Sequence, residues 1–378
     1  MATSWDAVII GAGVNGCAIA YNLAKRGLRV VILDKTDVCA QASGQNGGGV
    51  RQSARDPREL PLAMLSVSLF SSLAEELGLD MEYVQAGNLR LCTTSEQEKT
   101  MRAAVEQQRV DFGLDVRYVD RDELETLNPH IAQWVVGASY CPTDGHANPL
   151  LTTYAFARKA RELGAELRTG ETVTRIRLSR GAVNSVVTDR EVYSTGLVIN
   201  AAGIGGRAVA NMVGLDFPMT PVFTEVLVTE AREPLFAQMI GTASSDFYGH
   251  QTTHGSFVWG GFVGYETFLH DGHHGGMQRP NYPEVASAIC RAVLRYFPGL
   301  GELNVIRTWG GLIAQVADKV PVLGPVPEVP GYISATGFSG HGFGIAPAVG
   351  RVIGQAALGE TPDVDLSPFA ADRFGPVH

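Results

Sequence analysis

"DAVIIGAGVNGCAIAYNLAKRGLRVVILDK", from Asp6 to Lys35, decides the fold. Ala7 to Ile10 is an apolar run of the length of a buried parallel strand. Gly11, Gly13 and Gly16 then form G-x-G-x-x-G, with Val14 and Asn15 between them. Cys17 to Arg26 continues as a helix, and Gly27 stands where a helix C-cap belongs. Leu28 to Leu33 reads as a second buried strand, closed by Asp34 and Lys35. The glycines serve different physical ends. Gly11 permits a tight turn, Gly13 lets a pyrophosphate lie on the backbone, and Gly16 lets helix and strand pack closely. The helix N-terminus supplies the positive end that an anion needs. Asp34 can accept hydrogen bonds from a ribose and repels a 2′-phosphate, so the pattern predicts FAD or NAD over NADP. A glycine-rich turn with no ligand is the plainer alternative.

The next stretch separates the two cofactors. "ASGQNGGGVRQ", Ala42 to Gln52, is a polar, glycine-rich loop where an NAD-dependent dehydrogenase would continue into helix and strand. Ser43, Gly44, Gln45, Asn46, Gly47 and Gly48 suit backbone contact with a flat ring and its phosphates, and Arg51 closes the loop. A long helical pattern follows from Pro61 to Leu77. Further on, Asn148 and Pro149 cap and start a helix that Gly164 ends. "LVINAAGIGG", Leu197 to Gly206, is a buried strand followed by a turn of small residues. Near the end, "GFSGHGFGIAP", Gly337 to Pro347, places four glycines, Phe338, Ser339, His341 and Phe343 before the last helix. So many glycines cost backbone entropy, which a close approach of backbone to ligand would justify.

Composition bounds the rest. The chain has 378 residues, 45% hydrophobic and 18% charged, enough for two domains with large cores. A formal net charge of -9 and the lack of any basic run argue against tracking of nucleic-acid phosphates. Cys17, Cys39, Cys92, Cys141 and Cys290 are scattered with no C-x-x-C, which reads as free thiols in a reducing compartment. Ala7 to Ala24 lacks charge, but its glycines and the absence of a basic flank argue against a membrane span. The expectation is a soluble cytoplasmic protein with no transmembrane segment. His270, His273 and His274 fall in a loop, His270 to Pro280, with no helix to fix them, so no metal is expected there.

Taken in order, Gly11-Ala12-Gly13-Val14-Asn15-Gly16, Asp34, Ala42-Ser43-Gly44, Asp144-Gly145, Asn200-Ala201-Ala202-Gly203 and Gly337 to Gly342 resemble the D-amino-acid oxidase-type FAD oxidoreductases. The resemblance covers essentially the whole chain. Within that family, "GFSGHGF" and "DLSPFAADRF" look nearest to the β subunits of proline dehydrogenases, opine oxidases and hydrogen cyanide synthase. It implies an α/β fold: a discontinuous Rossmann-type FAD-binding domain over 1–86, 141–220 and 310–378, and an α+β substrate domain on a mostly antiparallel sheet over 87–140 and 221–309. It also implies that Val173 reads the adenine and that Ala201, Ala202 and Gly203 approach the pyrophosphate. Gly311 and the loop Gly337, Phe338, Ser339, Gly340, His341, Gly342 and Phe343 would then lie at the flavin.

The implied chemistry is oxidation of a carbon beside an amine, with imine release or hydrolysis. Arg51 is the first candidate for a substrate carboxylate, since its fork matches one; His341, His254, Lys319 and Arg307 rank below it. Relatives similar to glycine oxidase carry arginines in contexts that here read "GLIAQ" (Gly311 to Gln315) and "GHG" (Gly340 to Gly342). That departure implies a bulkier or N-substituted amine. Pro149 stands where sarcosine oxidase β subunits attach a second flavin, and no cysteine follows Cys290, so FAD is expected to be non-covalent. Partner subunits for electron transfer are a further expectation, because the chain has no iron–sulfur cysteine pattern. A non-catalytic flavoprotein acting in assembly, and an NAD-dependent dehydrogenase, are the competing readings.

Overall fold

The computed structural model describes residues 4–261 and 282–375. A six-stranded sheet comprises β1 (Ala7–Ile10), β2 (Val30–Asp34), β8 (Glu166–Thr169), β12 (Val198–Asn200), β18 (Val322–Pro325) and β19 (Tyr332–Thr336). Their order is β18-β19-β12-β1-β2-β8, parallel except for the β18–β19 pair. β1 is buried along its whole length, as its unbroken apolar run requires of a central parallel strand.

An eight-stranded sheet holds β4 (Asn88–Cys92), β5 (Arg117–Asp120), β6 (Gly137–Cys141), β13 (Met219–Ala231), β14 (Met239–Thr242), β15 (Tyr248–Gln251), β16 (Ser256–Gly261) and β17 (Val305–Val316). Its order is β17-β13-β16-β15-β14-β4-β6-β5, antiparallel except where β14 meets β4. Among the described residues there are two smaller sheets: β11-β10-β9, from β9 (Val173–Ser179), β10 (Ala182–Thr188) and β11 (Val192–Ser194), and the pair β3 (Gly49–Val50) with β7 (Gly145–His146).

The helices are α1 (Val14–Ala24), α2 (Ala42–Gln45), α3 (Leu60–Leu77), α4 (Ser95–Phe112), α5 (Arg121–Leu127), α6 (Pro149–Glu162), α7 (Gly206–Asn211), α8 (Pro283–Tyr296) and α9 (Ala346–Ala357). Local chemistry sets their ends. Asn148 Oδ1 accepts from the Leu150 and Leu151 N–H groups, and Pro149 sits in the first turn of α6. α3 is long and apolar enough to cross a membrane, but its Leu62, Val67, Phe70 and Leu73 join the main buried core with α1 and α9.

Two sequence readings change in detail. Ala42 to Gln52 is not all loop: it begins with the short helix α2 and ends in β3, stabilised by Asn46 Nδ2 donating back to the Ser43 carbonyl at 2.7 Å. The expected divisions at 220/221 and 309/310 fall inside β13 and β17, which pair without a break from Met219↔Val316 to Val228↔Arg307, where the register shifts. The histidine loop His270 to Pro280 lies outside the described residues.

Candidate active site

A cavity of about 400 Å³ runs from the carboxyl ends of β1 and β2 to the inner face of the eight-stranded sheet. One end is bordered by Asp34, Lys35, Glu171 and Val173; the other by Tyr248, Leu312, Ile313 and Phe338. Gly11, Gly13, Val14, Asn15, Ser43, Gln45 and Asn46 form its middle, facing Ala201, Ala202 and Gly203.

The middle is built for an anion. Gly13 caps α1 without a side-chain hydrogen bond, and the first turn carries no acidic residue. The first N–H groups of a helix have no carbonyl partner inside it; here Val14 N–H donates to Ser43 Oγ at 2.9 Å. Gly11 has φ +111°, and a Cβ there would overlap the Ala201 carbonyl oxygen. Gly16 permits equally close packing against the Gly11 carbonyl.

At the ribose end, Asp34 Oδ2 accepts from Ala12 N–H at 2.8 Å, and Oδ1 accepts from the N–H and hydroxyl of Thr36, both at 2.8 Å. A carboxylate oxygen can accept twice, so Oδ2 keeps one lone pair for a ligand hydroxyl. Beside it, Glu171 accepts from Thr188 Oγ1 at 2.6 Å and from Tyr193 Oη at 2.8 Å.

The far end is held by links between distant segments. Trp309 Nε1 on β17 donates to the Gln45 carbonyl at 3.0 Å, clamping α2 onto the eight-stranded sheet. Ser339 N–H donates to the Ala314 carbonyl at 3.0 Å, and Val316 N–H donates to Ser339 Oγ at 3.2 Å, stitching the Gly337 to Gly342 loop to the same strand. A Cβ on Gly47 would sit 2.9 Å from the Tyr248 ring, and burial pushes the Tyr248 hydroxyl up to about 12. Asn15 Oδ1 and Gln45 Oε1 are buried here without a hydrogen-bond partner. Buried polar atoms are rarely left so, and both point to a ligand with donors of its own.

The chemistry of this donor set fits FAD. Asp34 would hold the ribose, the α1 N-terminus the pyrophosphate, Val173 the adenine side, and Gly311 with Phe338 to Phe343 the flavin side. A family model described as DAO, FAD dependent oxidoreductase, matches residues 6–356. The chain belongs to that family. Over all of this chain and 98% of the relative, it is 29% identical to hydrogen cyanide synthase subunit HcnC of Pseudomonas aeruginosa. It is 27% identical to sarcosine oxidase subunit beta of Arthrobacter sp, covering 99% of this chain and 92% of that one. Among solved structures, L-proline dehydrogenase from P. horikoshii superposes with a TM-score of 0.90 at 28% identity, covering 99% and 98% of the two chains. The protein is thus an FAD-dependent oxidoreductase of the DAO family, with that family's α/β fold.

The candidate residues of this DAO-family chain fall into three places. Gly340 and Gly342 border the cavity with Phe343, whereas Gly16, Gly44, Gly47, Gly48 and Gly337 do not; Gly16 packs on Gly11 and Ala201, and Gly47 on the Tyr248 ring, behind the lining. His341 turns away: its Nδ1 lies 3.1 Å from Oε2 of Glu59. Burial and the nearby Arg55 push His341 down to about 4, so its imidazole is neutral near pH 7. Arg51 follows β3, half-buried, with Nη1 donating to the Ser53 carbonyl at 2.6 Å. Burial and the charges of Arg55 and Arg90 push Arg51 down to about 9.

Arg51, like His341, does not border the cavity, and three further expected side chains also lie off its lining. His254 is exposed and pairs with Glu82 at 2.8 Å. Lys319 is exposed in the turn after β17, with φ +61°. Arg307 is exposed over the Trp309 ring.

Sequence reasoning missed Glu171, Thr224, Tyr248 and Ile313 on the lining, and the buried charges Arg55 and Glu59 behind it. Their only local signal was alternation on a strand or a charge beside a helix start.

Proposed function

We propose that this chain oxidises the C–N bond of an amino-acid-like amine, secondary or N-substituted in the manner of proline, sarcosine or an opine. FAD, non-covalently held, would accept the hydride equivalent, and the imine would be released or hydrolysed. The reading rests on one observation: the cavity runs unbroken from the nucleotide cradle to an apolar end formed by Tyr248, Leu312, Ile313 and Phe338. The names of the relatives, a sarcosine oxidase subunit and a proline dehydrogenase, support the substrate class. No cysteine or histidine borders the cavity among the described residues, which favours non-covalent cofactor. The relatives that are subunits support a partner chain that takes the electrons onward.

The chain's own groups divide the work. The first turn of α1 and Asp34 hold the cofactor, and the Phe338 to Phe343 loop closes over its far end. Half-buried Tyr248, kept protonated, offers a hydroxyl at the apolar end. Arg51, which does not border the cavity, would exchange the Ser53 carbonyl for a substrate carboxylate; with burial and two other guanidiniums against it, it gains from an added anion. His341 acts as a positioning residue through Glu59. His254 and Lys319 take no part.

Anaerobic titration of the holoenzyme with glycine, sarcosine, D- and L-proline, hydroxyprolines and opines tests the proposal. Loss of the oxidised flavin band with one secondary amine is the expected result. Retention of the band with every amine, partner subunits included, would overturn it. Flavin appearing in the supernatant after acid precipitation checks the non-covalent link. Arg51→Ala is expected to raise KM about 10- to 100-fold, the scale of a lost charge-assisted hydrogen bond, with flavin content unchanged. Steady-state kinetics beside the flavin absorbance ratio measure both, and an unaltered KM removes Arg51 from the substrate site.

A further inference from the structure

A second cavity, of about 450 Å³, lies between α4, the start of α3 and the β4–β6 part of the sheet. It shares no lining residue with the flavin cavity. One wall is apolar, formed by Leu60, Met101, Val105 and Phe112; the other presents Arg55 and Arg90. Arg55 is 6% exposed, and its Nη1 makes no hydrogen bond. The nearest carboxylate oxygen, Glu59 Oε1, is 3.5 Å away and is also without a hydrogen bond. Arg55 Nε donates to the Arg51 carbonyl at 3.3 Å, but Nη1 faces Glu59 at a distance too long for a good hydrogen bond, and a charged acceptor in the cavity would complete its pairing.

The local charge balance points the same way. Arg90 has a long contact to Ser245 Oγ at 3.5 Å, and burial together with Arg55 lowers its pKa. Arg51 is disfavoured by burial and by the same two cations. Against these three stand Glu59, shared with His341, and Asp144, which already accepts from Gln52 N–H and Ser53 Oγ. Glu96 on the lining opposes a second negative charge on any ligand.

We propose that this cavity is a separate binding site for a small organic monocarboxylate, its carboxylate between Arg55 and Arg90 and its apolar body against Met101 and Val105. Two guanidinium forks match a carboxylate's geometry, and the apolar wall takes an alkyl or aryl tail. This binding site goes beyond the oxidation chemistry and does not depend on which amine is oxidised.

The test uses the FAD-loaded enzyme with hexanoate in calorimetry and crystals soaked in 6-bromohexanoate. Arg55→Gln is avoided, because it would strip Glu59 of its counter-charge. Arg90→Gln removes one cation, and Ala104→Trp fills the mouth from an exposed position on α4. Each is expected to weaken hexanoate binding about tenfold or more, with flavin content and thermal midpoint retained. An anomalous bromine peak beside Met101 and Val105 is expected in wild-type crystals. A peak confined to the flavin cavity, or hexanoate affinity equal in wild type and both variants, overturns the proposal. Inorganic phosphate binding as tightly as hexanoate overturns the carboxylate class.

Discussion

Gly11→Ala is expected to give a protein that retains almost no flavin and is less stable by about 2–6 kcal/mol. The alanine would have to adopt φ +111°, outside the regions open to side chains with a Cβ. Its Cβ would also overlap the Ala201 carbonyl oxygen and stand 3.0 Å from Ala202 Cα. Neither strand end can retreat. Gly11 N–H donates to the Leu33 carbonyl at 2.8 Å, and Ala201 N–H donates to the Ile10 carbonyl at 2.9 Å.

Gly13→Ala makes the contrast. Its added Cβ would meet Ser43 Oγ at 2.9 Å, a side chain that can rotate at the cost of the one hydrogen bond it accepts from Val14 N–H. The apoprotein should therefore melt close to wild type, while flavin affinity falls at least about tenfold, because a methyl stands where the helix N-terminus meets an anion. The flavin-to-protein absorbance ratio after gel filtration and thermal melts of the apoproteins measure both variants. Wild-type flavin retention in Gly13→Ala would remove the pyrophosphate from the start of α1.

Glu59→Gln carries the second large effect, a loss of about 3–5 kcal/mol, the scale of breaking a buried ion pair. Glu59 is fully buried and is shared by Arg55 and His341. Burial opposes its charge, yet Arg55, His341 and Arg51 hold it below the ordinary carboxylate range. Its contribution is therefore complete above the unfolded carboxylate pKa and lost as pH falls through the lower folded value. His341 acts in the same direction. Burial, then Arg55, takes it from 6.5 to about 4, so the unfolded chain binds a proton that the folded chain refuses between those values.

Stability should decline from about pH 6.5 downward, and His341→Asn should make that decline shallower. Urea midpoints measured against pH test this. A Glu59→Gln midpoint equal to wild type at pH 7 would sink the ion-network account.

The legible parts of the site were those with local causes. From Ala7 to Asp34, strand, glycine turn, helix and acidic residue follow one another, and each is set by its own side chains. The same holds for Asn148–Pro149 and for the small-residue turn after β12. The histidine of "GFSGHGF" was visible in the sequence, but its direction was not. It faces Glu59, 282 residues away along the chain. Nothing in "RDPREL" (Arg55 to Leu60) marks Glu59 as buried and Arg58 as exposed; only the packing of α3 against the C-terminal loop decides that. Tyr248, Thr224 and Ile313 reach the cavity because β13, β15 and β17 belong to the sheet that borders its far end, an apposition no short window contains.

The sequence by itself therefore determined the dinucleotide cradle, since a G-x-G-x-x-G between buried strands leaves the backbone few alternatives. Tertiary structure alone decided which charges are trapped inside. Burial is a property of the surrounding elements, and it is burial that turned Arg55, Glu59 and His341 from ordinary polar residues into a coupled network.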